Sequence, residues 1–103
     1  VTGVPQTLTG TKVVVADDDA ALVSTLTFIL REMGAQVIGL PDGEHLLEQL
    51  ESETPDLLLL DIMMPKIDGL ELLRRIKSDP RWIDLPVLIV SSMPPEEATV
   101  QSF

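Results

Sequence analysis

The 103-residue sequence contains no cysteine. A disulfide framework, a thiolate metal site and a cysteine nucleophile are all excluded. There is no tyrosine, and only Phe28, Trp82 and Phe103 are aromatic. The core must then be built from Leu, Val and Ile, and there is no platform on which nucleic-acid bases could stack. Long apolar runs are also missing. The longest reach four or five residues, far short of the ~18 that a membrane-spanning helix needs. Basic residues are scarce, with 7 Lys and Arg against 17 Asp and Glu and a net charge of -10. Direct nucleic-acid binding needs clustered positive charge and is not expected. The opening residues carry no signal-peptide apolar region, so a cytoplasmic location is expected.

What the chain does have is 45% hydrophobic residues gathered in short runs, too many for disorder and suited to one small domain. The opening Val1 to Thr11 is polar and rich in turn formers, and reads as a linker or appended tail. From Lys12 the pattern changes. Val13-Val14-Val15-Ala16, Leu57-Leu58-Leu59-Leu60 and Val87-Leu88-Ile89-Val90 are continuous rather than alternating, as in parallel strands covered on both faces. Ala35–Leu40 is a fourth candidate. Between them lie helical periods. Leu22, Leu26, Ile29, Leu30 and Met33 share a face, with Gly34 as the stop. Asp42 can cap a helix carrying Leu46, Leu47 and Leu50 that ends before Pro55. Asp68-Gly69 opens a third, carrying Leu72, Leu73 and Ile76 and closing before Pro80. Pro94-Pro95-Glu96-Glu97 suits the start of another. This alternation predicts an α/β fold, a doubly wound parallel sheet with right-handed crossovers.

In such a sheet, chemistry gathers outside the carboxyl ends of the strands. Asp17, Asp18 and Asp19 follow the first strand, Asp61 closes the third, and Ser91 and Ser92 close the fourth. If the first and third strands are neighbours, Asp17, Asp18 and Asp61 converge. Like charges ~5 Å apart repel by roughly 3 kcal/mol per pair at an effective dielectric of about 20, so a compensating cation is expected. All-oxygen ligands suit Mg²⁺ or Mn²⁺. Asp19 reads as a helix N-cap, Met63 and Met64 equally as packing residues, and His45 as a surface residue. Glu51, Glu53, Glu96 and Glu97 read as a solvated face.

These residues resemble a known family. Val13 to Asp19, Leu58 to Gly69 (LLLDIMMPKIDG) and Pro86 to Ser92 are similar to the three signature stretches of receiver domains of two-component response regulators, over Lys12 to about Met93. The resemblance implies a flavodoxin-like sheet of strand order 2-1-3-4. It implies Asp61 as phosphoacceptor from a histidine kinase or phosphotransfer protein. Mg²⁺ would be held by Asp17, Asp18, Asp61 and the backbone carbonyl of Met63. Ser91 would be the switch hydroxyl, with Ser92 beside the phosphoryl group, and Met63 and Met93 would modulate dephosphorylation. Such a domain is a signalling phosphoacceptor with at most weak autophosphatase activity. A metal-dependent phosphatase is disfavoured, because that class commonly has a second Asp where Met63 stands. A flavin site is disfavoured by the acidic loop after the first strand.

The pattern departs from the family after the fourth strand. The lysines are Lys12, Lys66 and Lys77, and none follows Val90. The phosphate-binding Lys, the fifth strand and the last helix are therefore expected to be absent, leaving residues 12–103 as a receiver incomplete at its carboxyl end. Partial order, truncation or a partner's contribution would each account for this. If the chain ends at Phe103, Val87–Val90 would be a bare apolar edge. A homodimer through that edge or through an exchanged carboxyl-terminal segment is then expected. The alternative reading is a degenerate receiver, serving as a non-switching interaction or dimerisation module.

Overall fold

The computed structural model describes residues 8–41, 45–62, 68–90 and 100–102. The elements run β1 (Lys12–Ala16), α1 (Ala20–Glu32), β2 (Gln36–Leu40), α2 (Leu46–Ser52), β3 (Leu57–Asp61), α3 (Gly69–Ser78), β4 (Val87–Val90) and β5 (Val100–Ser102). The sheet order is β2-β1-β3-β4-β5. The first four strands are parallel in the expected order 2-1-3-4. Crossover helices cover both faces, which is why the three long apolar runs do not alternate with polar residues.

One face is the larger core. Val14, Ala16, Leu58, Leu60, Val87 and Ile89 meet Leu46 and Leu50 of α2 and Leu72, Leu73 and Ile76 of α3. Trp82 and Leu85, after α3, close this layer. The Trp82 indole N–H donates to Thr54 Oγ1 at 3.3 Å. The Arg81 guanidinium stacks on the ring, 4.2 Å from its centroid. The other face carries Val13, Val15, Val37 and Leu59, packed by Val23, Leu26 and Leu30 of α1.

Helix ends follow local chemistry. Asp19 caps α1, its Oδ1 accepting from the amides of Ala21 (3.0 Å) and Leu22 (3.1 Å). Asp68 caps α3 in the same way, accepting from Leu70 and Glu71. Gly34 ends α1 at φ +96°, where a side chain would also collide with Thr9. The cap expected at Asp42 lies outside the described residues. α2 starts at Leu46, preceded by the exposed His45.

Four expectations change. First, β4 is not a bare edge: β5 pairs with it antiparallel, Ile89 facing Gln101 and Val90 facing Val100. Unpaired amides and carbonyls on an apolar edge recruit any strand that can reach them, and β5 supplies one. This is not the parallel fifth strand of the receiver pattern, but it occupies the edge through which a homodimer was expected. Second, the tail expected through Thr11 is tied down from Leu8. The Leu8 amide donates to the Met33 carbonyl, and Leu8 packs on the second core. Third, the expected apolar face of α1 is only half covered. All α1 side chains keep some exposure, and Ile29 is 48% exposed, because one helix lying chiefly along β1 and β2 cannot shield its own flank. Fourth, Glu51 and Glu53 are exposed but not simply solvated: Glu53 pairs with Lys12 and Glu51 approaches Arg81. The helix expected from Pro94 lies outside the described residues.

Candidate phosphoacceptor and cation site

Register alone brings the acidic residues together. Ala16 pairs with Leu60 across the parallel β1–β3 ladder. The next residues, Asp17 and Asp61, therefore leave neighbouring strands side by side. The Asp17 amide donates to the Leu40 carbonyl, continuing the β1–β2 ladder past the strand end. Asp61 is the last residue of β3 and pairs with Val90. Asp17 and Asp61 are 2% and 1% exposed, whereas Asp18 is exposed. One carboxylate oxygen from each of the three lies within 4.8 Å of the others.

The expected convergence of Asp17, Asp18 and Asp61 is thus present. Burial pushes the Asp17 carboxyl up from its usual 3.8 to about 6, and its nearness to Asp61 and Asp18 adds to the rise. The Asp19 amide opposes this by donating to Asp17 Oδ1 at 2.9 Å. Three hard oxygen donors, two of them shielded from water, fit a divalent cation such as Mg²⁺. A cation held there would favour the charged form of Asp17 and offset the burial that raises it.

Met63, Ser91, Ser92 and Met93 were expected at the same edge and lie outside the described residues, as do Met64, Pro65 and Lys66. Lys12 and Lys77 are not at the acidic edge. Lys12 pairs with Glu53 at the opposite end of β1, and Lys77 donates to the carbonyls of Ile83 and Leu85. The sequence reading missed two supports of the site. One is the Asp19 amide, which orients Asp17 while the Asp19 side chain caps α1. The other is the close approach of Gly69, expected only as the entry to the helix, to the backbone of Ile62 immediately after Asp61. The Asp68-Gly69 pair at the helix start was the available signal for the latter.

A five-stranded α/β sheet with acidic side chains gathered at the tips of its first and third strands has the flavodoxin-like arrangement. The chain belongs to the response regulator receiver domain family, which residues 13–103 match. It is 39% identical to the protein RcaC of Microchaete diplosiphon over 92 residues, 89% of this chain and 14% of RcaC. The chain thus spans only a small part of that relative. Among solved structures, the N-terminal domain of a response regulator receiver protein from Methanoculleus marisnigri JR1 is similar at 43% identity and TM-score 0.76, over 84% of this chain and 72% of that one. The BeF3-activated N-terminal receiver domain of Klebsiella pneumoniae RstA is similar at 29% identity and TM-score 0.73, over 82% and 70%. Receiver domains are modules of two-component signalling rather than enzymes in the usual sense. They bind Mg²⁺ at an acidic pocket and interact with histidine kinases or phosphotransfer proteins. Among the described residues, no helix is long and apolar enough to cross a membrane.

Proposed function

We propose that this domain accepts a phosphoryl group on Asp61 from a phosphohistidine of a kinase or phosphotransfer partner. The observation that carries the reading is the meeting of Asp17, Asp18 and Asp61 at two adjacent strand tips. A carboxylate oxygen of Asp61 attacks phosphorus in line. The new O–P bond forms as the N–P bond to the donor imidazole breaks, and the freed imidazole takes up a proton. Burial holds the Asp61 carboxylate in one place, so little orientational freedom is lost in the transition state. Asp17 and Asp18, with Asp61 and the Met63 carbonyl, would hold Mg²⁺, or Mn²⁺ in its place. The bound cation screens the charge of the approaching phosphoryl group.

Ser91 is the proposed switch hydroxyl, hydrogen-bonding a phosphoryl oxygen and biasing a two-state equilibrium. Ser92 keeps the phosphoryl group accessible, and Met63 and Met93 set the rate at which water removes it, giving weak autophosphatase activity. The domain works in the cytoplasm and does not itself contact nucleic acid or membrane. A homodimer would form through the outer edge of β5 or by exchange of the segment around β5. The receiver proper is proposed to begin at Lys12, with the packed segment from Leu8 as its lead-in.

A second reading, a non-switching interaction module, is favoured by the engagement of Lys12 and Lys77 away from the site. Beryllofluoride with Mg²⁺ separates the two. A phosphoacceptor binds it saturably, with amide shifts at Asp61 and around Ser91, and loses it in Asp61→Asn. Mg²⁺ binding with no beryllofluoride response would support the non-switching module.

A further inference from the structure

We propose that Gly69 is a positioning residue: its missing side chain lets the first turn of α3 close onto the backbone of Ile62 and so fixes where the Asp61 carboxylate stands. This rests on Asp61 being the phosphoacceptor. Gly69 is buried and is the first residue of α3. A Cβ built there would fall well inside the contact distance of the Ile62 Cα, and 3.0 Å from both its carbonyl carbon and its Cβ. The obstruction is backbone, which cannot rotate aside as a side-chain tip can. Ile62 directly follows Asp61.

Residues 62 and 69 therefore pinch the neck of the loop that leads from the acidic strand tip to the helix. Asp68 locks the helix side of this neck by capping α3. Pairing of Asp61 with Val90 holds the strand side. Between two fixed ends, a methyl group at position 69 has to be accommodated by moving Ile62, and Asp61 with it. A three-carboxylate cluster within 4.8 Å is sensitive to such a shift, since displacement of a reacting group by about 1 Å can cost on the order of 100-fold.

Gly39 provides a control away from the neck. A Cβ there would come 2.6 Å from Val23 Cγ1, a collision of β2 with a side-chain methyl of α1 rather than with backbone. The experiment measures Mg²⁺ affinity by calorimetry and the rate of phosphorylation by acetyl phosphate in Gly69→Ala and Gly39→Ala, with the folded fraction followed by Trp82 fluorescence. Gly69→Ala is expected to weaken Mg²⁺ binding and slow phosphorylation by about tenfold or more each. Gly39→Ala is expected to lose stability while keeping wild-type affinity. If Gly69→Ala does not fold, Asp68→Ala unlocks the helix side of the same neck and is expected to weaken Mg²⁺ binding likewise. Wild-type Mg²⁺ affinity in the folded position-69 or position-68 variant, or equal loss in Gly39→Ala, would overturn the inference. Failure of the wild-type domain to be phosphorylated at all would instead remove the reading on which it rests.

Discussion

Treated with acetyl phosphate and Mg²⁺, the wild-type domain is expected to gain about 80 Da, one phosphoryl group, and the Asp61→Asn variant to gain nothing. The chain carries 17 carboxylate side chains, so selectivity has to come from position. Asp61 is 1% exposed at the tip of β3, and two further carboxylates lie within 4.8 Å of it. The exposed acids on helix surfaces have no comparable cluster among the described residues. Asparagine keeps the shape of the side chain and removes its charge, leaving a neutral amide that cannot act as the nucleophile. Asp18→Asn keeps the nucleophile and removes a cation ligand, so its adduct is expected on the same residue but more slowly. Intact-mass spectrometry with peptide mapping reads all three cases. An undiminished adduct in Asp61→Asn would place the chemistry on another carboxylate.

The second large effect is in stability. The Asp17 carboxyl is raised to about 6 in the fold from its usual 3.8. Between these values the folded state holds more protons than the unfolded chain. Its contribution to stability is therefore fullest below the unfolded value and is lost as pH rises through the folded one. A shift of about two units corresponds to about 3 kcal/mol at most. Without metal, Asp17→Asn is expected to match or trail the wild type near pH 4 and to gain on it by up to that amount by pH 7. Mg²⁺ reverses the order at neutral pH, because a cation that binds only the folded state stabilises by mass action and Asp17→Asn has lost a ligand. Urea unfolding at pH 4 and pH 7, with and without Mg²⁺, follows this through the single tryptophan, Trp82. A wild-type-to-variant difference that ignores both pH and Mg²⁺ would contradict it.

The parts of this design that were legible in the sequence are those governed by short-range rules. Val13 to Ala16 reads as a buried strand because it is continuously apolar, and Asp19 reads as a cap because a carboxylate before a helix accepts its first amides. The convergence of Asp17 with Asp61 was legible because doubly wound sheets place alternate strands together, so the tips of β1 and β3 follow from topology. What was not legible depends on distances between segments that the sequence does not encode locally. The antiparallel pairing of Val100 to Ser102 on β4 obeys no periodicity. The uncovered flank of α1 reflects how one helix leans across a face, although its spacing is that of a buried helix. The close approaches of Gly39 to Val23 and of Gly69 to Ile62 are invisible in a string where glycine reads as a turn former. Trp82 could be counted, but not assigned to the core between α2 and α3.

Titration with Mn²⁺ as a paramagnetic substitute for Mg²⁺, observed through amide relaxation, tests most directly whether carboxylates from two strand tips share one cation. Line broadening is expected first at Asp17, Asp18, Asp61 and Ile62, with the amides of Glu51, Glu53 and Asp56 unaffected at low occupancy, and the effect should vanish in Asp17→Asn. Broadening centred on the Glu51–Asp56 region, or broadening at Asp17 without Asp61, would contradict the shared site.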